Sequence, residues 1–194
     1  MRVVWRSAEG RGSRDFALTN ISSIMVHKTG QRREARERAV QFLFQMDINP
    51  PEQMDEALDR FWKSQSGPAI LEEKGPATWG QNVELPEPTP EELAIRQFAD
   101  GLIRGVQERR DLIDAHICKY ARNWALSRMA VVDRNILRMA VYEMLYREDI
   151  PPIVTINEAV DIAKKFSTHD SGKFVNGILD RMKNDVMRSA RTAK

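Results

Sequence analysis

The sequence predicts an all-α fold of about seven helices, and three observations carry that expectation. Apolar residues recur at intervals of three and four through most of the chain, the spacing that lines one face of a helix. Residues with helix-start chemistry precede several of these runs. No segment alternates apolar and polar residues for long enough to require a sheet. At 194 residues the chain suits one domain, long enough to bury a core without disulfides or metals.

The elements follow in order. Residues 1–28 lack an amphipathic period and contain Gly10, Gly12 and Ser13, so they read as a disordered leader. Met25, just ahead of the periodic sequence, offers a second reading as the native start, which an intact mass from the native host would decide. The domain itself is expected over 29–187. From about Gln31 the period sets in: Ala35, Ala39, Phe42, Leu43 and Met46 share a face, and Asn49-Pro50-Pro51 ends the helix. Met54, Ala57, Leu58, Phe61 and Trp62 mark a short second helix. Ser64 to Thr89 reads as a long acidic loop rich in Gly and Pro, a flexible insertion at about 63–89. Thr89-Pro90-Glu91-Glu92 then has the chemistry of a helix start, with Thr89 as cap, Pro90 in the first position and Glu92 completing a capping box.

Ile95, Phe98, Ala99, Leu102, Ile103 and Val106 supply the third apolar face. A fourth helix is predicted from about Arg110 to Tyr120, with Leu112, Ile113, Ile117 and Tyr120 inward. A fifth runs from about Asp133 to Arg147, burying Ile136, Leu137, Ala140, Val141, Met144 and Leu145. Ile150-Pro151-Pro152 stops it. Thr155-Ile-Asn-Glu158 has the pattern of a second capping box, which assigns Asn157 and Glu158 to capping and opens a sixth helix on Ala159, Ile162, Ala163 and Phe166. Ser167 to Gly172 is turn-like. The seventh helix carries Phe174, Val175, Ile178, Leu179 and Met182, with Gly177 expected to mark close helix packing. Residues 188–194 form a basic tail.

Composition excludes several functions. No stretch approaches the roughly 18 apolar residues of a membrane span, and the N-terminus has no signal-peptide apolar core, so the expected location is cytoplasmic. One cysteine, Cys118, rules out an intramolecular disulfide, and its apolar neighbours suggest an inert core thiol. His116 and Cys118 lie two apart on a predicted helix and face different ways, a poor metal pair. No Gly-rich phosphate loop or dinucleotide fingerprint is present. The expectation is a protein that is not an enzyme and needs no cofactor or metal.

Charge is segregated. Residues 1–40 hold nine Lys/Arg against four Asp/Glu, 50–92 hold three against ten, and 181–194 hold five against one. A basic start and end around an acidic middle suggest a surface for an anion, with nucleic acid one candidate. Two clusters stand out. Lys28, Arg32, Arg33 and Arg36 fall at or before the predicted start of the first helix, where cations oppose the helix dipole by roughly a few tenths of a kcal/mol each. A phosphate would relieve that opposition, since arginine offers a planar donor fork and the helix start adds N–H groups. Surface pairs of Arg32 or Arg33 with Glu37 explain the same residues equally well. The second cluster is the turn His169-Asp170-Ser171-Gly172-Lys173-Phe174. Asp170 or Ser171 can cap the seventh helix. Phe174 can stack on a base, as aromatics do with single-stranded RNA, although its spacing with Ile178 favours a core position.

An ordered series of motifs goes further. Arg32-Arg33-Glu34-Ala35-Arg36-Glu37-Arg38-Ala39-Val40-Gln41 comes first. It is followed by Trp124-Ala-Leu-Ser-Arg128-Met129, Val132-Asp133-Arg134-Asn-Ile136-Leu137-Arg138, Ile156-Asn157-Glu158-Ala159 and Lys173-Phe174-Val175-Asn176-Gly177. Together they resemble the NusB family of RNA-binding antitermination factors in bacterial transcription, over about Lys28 to Val186. The resemblance implies two small helical bundles, binding of single-stranded boxA RNA, a complex with the ribosomal protein NusE, and membership of RNA polymerase antitermination complexes on ribosomal RNA operons. It also implies the RNA face: Lys28, Arg32, Arg33 and Arg36 on the first helix, and Asp170, Ser171, Lys173 and Phe174 before and within the last.

Three departures qualify the transfer. Glu34 stands at a position often basic, Phe44 where many relatives have tyrosine, and the acidic insertion is long for the family. Two other readings accompany it. One is a non-catalytic accessory module for rRNA modification, since NusB-like domains precede catalytic domains in some rRNA cytosine methyltransferases. Here the residues beyond the last predicted helix leave no room for a cofactor-binding sheet. The other is a homodimeric interaction module.

Overall fold

The computed structural model describes the backbone of residues 13–74, 87–121 and 124–192, and side chains over 30–65, 87–121 and 124–185. Within these residues there are seven α-helices and no strand: α1 (Ser13–Ile48), α2 (Met54–Lys74), α3 (Pro90–Glu108), α4 (Arg110–Tyr120), α5 (Val131–Tyr146), α6 (Pro152–Phe166) and α7 (Ser171–Thr192). A single 3₁₀ turn, Leu126–Arg128, leads into α5.

The helices form two packed groups. In the first, α1 lies along α3, and α2 joins them through aromatic contacts. Phe42 of α1 meets Phe61 of α2 edge to face at 5.2 Å, and Trp62 donates from Nε1 to Asp100 Oδ1 of α3 at 2.9 Å. In the second, α4, α6 and α7 surround α5, which also packs on α1 and α3 and so joins the groups. Helix α5 is buried nearly all round, as a central helix must be. One continuous apolar core results, running from Ala35 and Leu43 through Ile103 and Leu137 to Leu179.

The third helix starts as its sequence predicts. Thr89 N–H donates to Glu92 Oε2 at 2.7 Å, and Glu92 N–H donates to Thr89 Oγ1 at 3.2 Å, a reciprocal capping box with Pro90 at the first position. The fourth and fifth helices lie within two residues of their expected ends.

Several expectations are corrected. Helix α1 begins at Ser13, so the disordered reading of residues 1–28 does not hold over 13–28; 1–12 lie outside the described residues. No proline interrupts that run, and once nucleated a helix gains one hydrogen bond for each residue added. Helix α2 continues to Lys74, through the first part of the segment read as a loop. Gly67 and Pro68 lie inside that run despite their low helix propensity. Residues 75–86 of that insertion lie outside the described residues. At the other end, α7 runs on to Thr192, which takes in most of the presumed tail.

The second capping box is also corrected. Helix α6 starts at Pro152, so Thr155 and Glu158 sit inside it, and their side chains serve other partners described below. Leu112 and Cys118 are exposed, because the inward face of α4 is Ile113, Ile117 and Tyr120. Gly177 has open space where a Cβ would stand. The tight position is Gly105 of α3, where a Cβ would lie 2.0 Å from the Tyr142 ring.

Candidate RNA interface

The α1 arginines are interior to a helix of 36 residues. The argument from the helix start therefore fails for them: the dipole field acts within the end turns, and these residues lie far inside. Their environments separate them instead. Arg32 is exposed and forms no ion pair among the described residues; its guanidinium lies over the Phe98 ring at 5.4 Å. Arg33, 45% exposed, gives a forked pair of bonds to Glu158 of α6, Nε to Oε2 at 3.0 Å and Nη2 to Oε1 at 2.9 Å. Nη2 also reaches Asp161 at 2.9 Å. The hydrogen bond to Glu158 raises its pKa above the usual arginine value against the opposing effect of burial, so the charge is permanent but largely neutralised.

Arg36 is buried, with 3% of its side chain exposed. Nε donates to Glu143 Oε1 at 2.8 Å, and Thr155 Oγ1 donates to the other oxygen of Glu143, also at 2.8 Å. Both charges are removed from water and held by complementary partners, the condition under which a buried pair is tolerated. Arg36, expected at the RNA face, has its guanidinium enclosed beside Glu143 and away from the surface. The side chain of Lys28 lies outside the described residues. Neither arginine pairs with Glu37, which accepts from Lys165 Nζ at 2.7 Å.

The second cluster divides in the same way. Ser171 is buried at the first position of α7. Its hydroxyl donates to Asp133 Oδ2 of α5 at 2.9 Å and accepts from Thr168 N–H at 3.2 Å, so it fastens the turn to the helix behind it. Ser171, expected at the RNA face, thus has its hydroxyl turned to the interior. Asp170 and Lys173 are 84% and 81% exposed, with Lys173 Nζ 3.8 Å from Asp170 Oδ1. Phe174 is half-buried and meets Trp124 edge to face, centroids 5.5 Å apart.

Helix α6 bridges the two clusters. Arg33 of α1, Asn176 of α7 and Asn157, Asp161 and Lys164 of α6 together line one shallow depression of about 500 Å³. Lys164 lies against the α6–α7 turn: a Cβ on Gly172 would come within 3.0 Å of its Cγ. Sequence reasoning did not single out Lys164 and Asn176, which line this depression. A usable signal existed for Lys164 alone, a lysine in the last turn of a helix, where the dipole favours a cation.

A separate open groove of about 550 Å³ lies between the end of α1 and the start of α2, lined in part by Phe42, Phe44, Ile48 and Phe61. Phe44, one of the departures noted above, is therefore at a groove wall and not on the arginine face.

This arrangement has counterparts. The family model described as "NusB family" matches residues 33–184. The chain belongs to the NusB family. The transcription antitermination protein NusB of Anaeromyxobacter dehalogenans strain 2CP-1 is 42% identical over 154 residues, covering 79% of this chain and 91% of its own. That of Thermodesulfovibrio yellowstonii is 40% identical over 171 residues, covering 84% and 99%. Among solved structures, T. maritima NusB is 36% identical with a TM-score of 0.57, over 77% of this chain and 88% of that one. A crystal structure of the antitermination factors NusB and NusE in complex with dsRNA shares the fold at 24% identity and a TM-score of 0.56, over 80% and 97%.

The arginine motif thus lies on α1, Ile156 to Ala159 on α6 and Lys173 to Gly177 on α7. Among the described residues, no helix is long and apolar enough to cross a membrane.

Proposed function

We propose that this chain is a transcription antitermination factor that binds single-stranded boxA-type RNA together with ribosomal protein NusE and supports transcription of ribosomal RNA operons. The observation that carries the reading is likeness over nearly the whole length of relatives named transcription antitermination protein NusB. A NusB of the same fold has been solved with NusE and dsRNA, and NusE and an RNA are the partners proposed for this chain. The protein acts in the cytoplasm as a scaffold within the RNA polymerase antitermination complex, with no chemical step of its own.

Arg32 and Lys173 offer exposed cations to phosphates, and Lys28, whose side chain lies outside the described residues, is assigned the same role by the family motif. Arg33 contributes where a phosphate displaces Asp161. Asp170 and Phe174 offer an acceptor and a ring for base recognition. Arg36 and Ser171 support the face from beneath. Phosphate contacts position the strand, while base edges and stacking give sequence preference.

Fluorescence anisotropy of a labelled boxA-like RNA, with and without NusE, tests this. Wild type binds, NusE strengthens binding, and affinity falls steeply with salt. The Arg32→Ala/Lys173→Ala double variant binds more weakly, with a log–log salt slope shallower by roughly 1.4, since each single-strand phosphate contact contributes about 0.7. No binding by folded wild type, with or without NusE, refutes the proposal.

A further inference from the structure

Trp124 is 56% exposed, although tryptophan is the largest apolar side chain a fold can hide. It is held in place all the same. Its N–H donates to Ala121 O at 2.7 Å, the 3₁₀ turn Leu126–Arg128 follows at once, and the ring rests edge to face on Phe174 at 5.5 Å. Of the two aromatics, Phe174 is the half-buried one and Trp124 offers more surface. Lys173, next to Phe174 in the chain, projects an exposed ammonium on the same helix start. Over residues 125–128, which follow Trp124 in the chain, the exposed ones, Ala125, Ser127 and Arg128, are small, polar or basic, unlike the apolar surface a protein partner favours.

We propose that Trp124 is a base-stacking platform that extends the RNA face beyond Phe174, taking one unpaired base of a single-stranded RNA on its exposed ring. The inference rests on the RNA-binding reading above. An exposed aromatic packed on Phe174, the chain neighbour of an exposed lysine, suits a nucleotide: the ring takes the base and the ammonium takes an adjoining phosphate. The edge-to-face contact sets the ring in advance, so little conformational entropy is lost when a base lands on it. Phe174, underneath, acts as the seat.

The test measures Kd of wild type, Trp124→Phe, Trp124→Leu and Arg32→Ala/Lys173→Ala for the same boxA-like RNA at several salt concentrations, with a thermal melt of each protein. Trp124→Leu is expected to bind roughly tenfold more weakly, as loss of one base–aromatic stack does, and Trp124→Phe to retain most of the affinity. The salt slope of both stays at the wild-type value, because stacking neutralises no phosphate. Wild-type affinity in Trp124→Leu, or equal losses in the Leu and Phe variants, overturns the stacking role. If the double variant loses affinity while Trp124→Leu does not, only this inference fails. If folded wild type binds no RNA, the functional reading fails with it.

Discussion

Neighbouring arginines of one motif do different work. Arg32 stands in solvent over Phe98, Arg33 is tied to two carboxylates at the surface, and Arg36 is enclosed with Glu143 and Thr155. Removing Arg36 leaves Glu143, itself fully buried, without its counter-charge. Arg36→Ala is therefore expected to lower stability by about 3–5 kcal/mol, read from denaturant unfolding. Arg32→Ala should stay within about 0.5 kcal/mol of wild type, as surface changes do, while weakening RNA binding. Equal stabilities for the two variants would contradict the burial described here. The arginine-rich motif was legible in the sequence, but the division of labour was not. It depends on which turn of α1 faces α5, and Glu143 and Glu158 are more than a hundred residues away.

At the scale of elements, the crossing of α3 and α5 rests on a missing side chain. Gly105 lets the Tyr142 ring lie against the α3 backbone, and Tyr142 in turn packs on Tyr146 at 5.6 Å. Gly105→Ala must displace that ring and is expected to destabilise by about 1–3 kcal/mol, the usual range for overpacking. Gly101, one turn earlier and exposed, has open space around it. Gly101→Ala should stabilise by about 0.5–1 kcal/mol through helix propensity alone. Melting curves of the two variants should move in opposite directions. The start of α3 was readable because a capping box is local chemistry. The start of α6 was misread because Thr155 and Glu158 fit the same local pattern while serving Glu143 and Arg33 across the fold. Helix α1 was placed too late because amphipathic period reports burial, and a helix can extend beyond the stretch it buries.

Across the whole molecule, a charged network joins the two helix groups. Asp47 near the end of α1 accepts from Arg134 at 2.6 Å, Arg138 at 2.9 Å and Asn135 at 3.2 Å, all on α5, and from Arg110 at the start of α4. Asp114 of α4 takes Arg138 from the other side at 2.7 and 2.9 Å. Burial alone pushes the Asp47 carboxyl up. The hydrogen bond from Arg134 and the charges of Arg138, Arg134 and Arg110 prevail and hold it down to about 2. A carboxylate depressed in the folded state adds stability above its ordinary pKa, and that stability is lost as pH falls toward the folded value. The contribution, about 2 kcal/mol, should be complete above roughly pH 5 and disappear between about pH 4 and pH 2. Asp47→Asn should lower stability at neutral pH and flatten the acid limb of a plot of unfolding free energy against pH. An acid limb equal to wild type would show that other carboxylates govern it.

The helical class, the approximate order of seven helices, the capping box of α3 and the motifs that mark the family all follow from the chain's primary structure. Each is written in residues close together along the chain, as spacing, caps or short ordered strings. Only the tertiary structure decided which charges face water. Arg36, Ser171 and Glu158 carry side chains suited to a surface, yet Glu143, Asp133 and Arg33 receive them. Cys118, Leu112 and Trp124 carry side chains suited to a core, yet they lie outside. The physical reason is that burial of a polar group depends on a distant partner able to replace its water, and that partner is brought near only by packing α1, α5, α6 and α7 together.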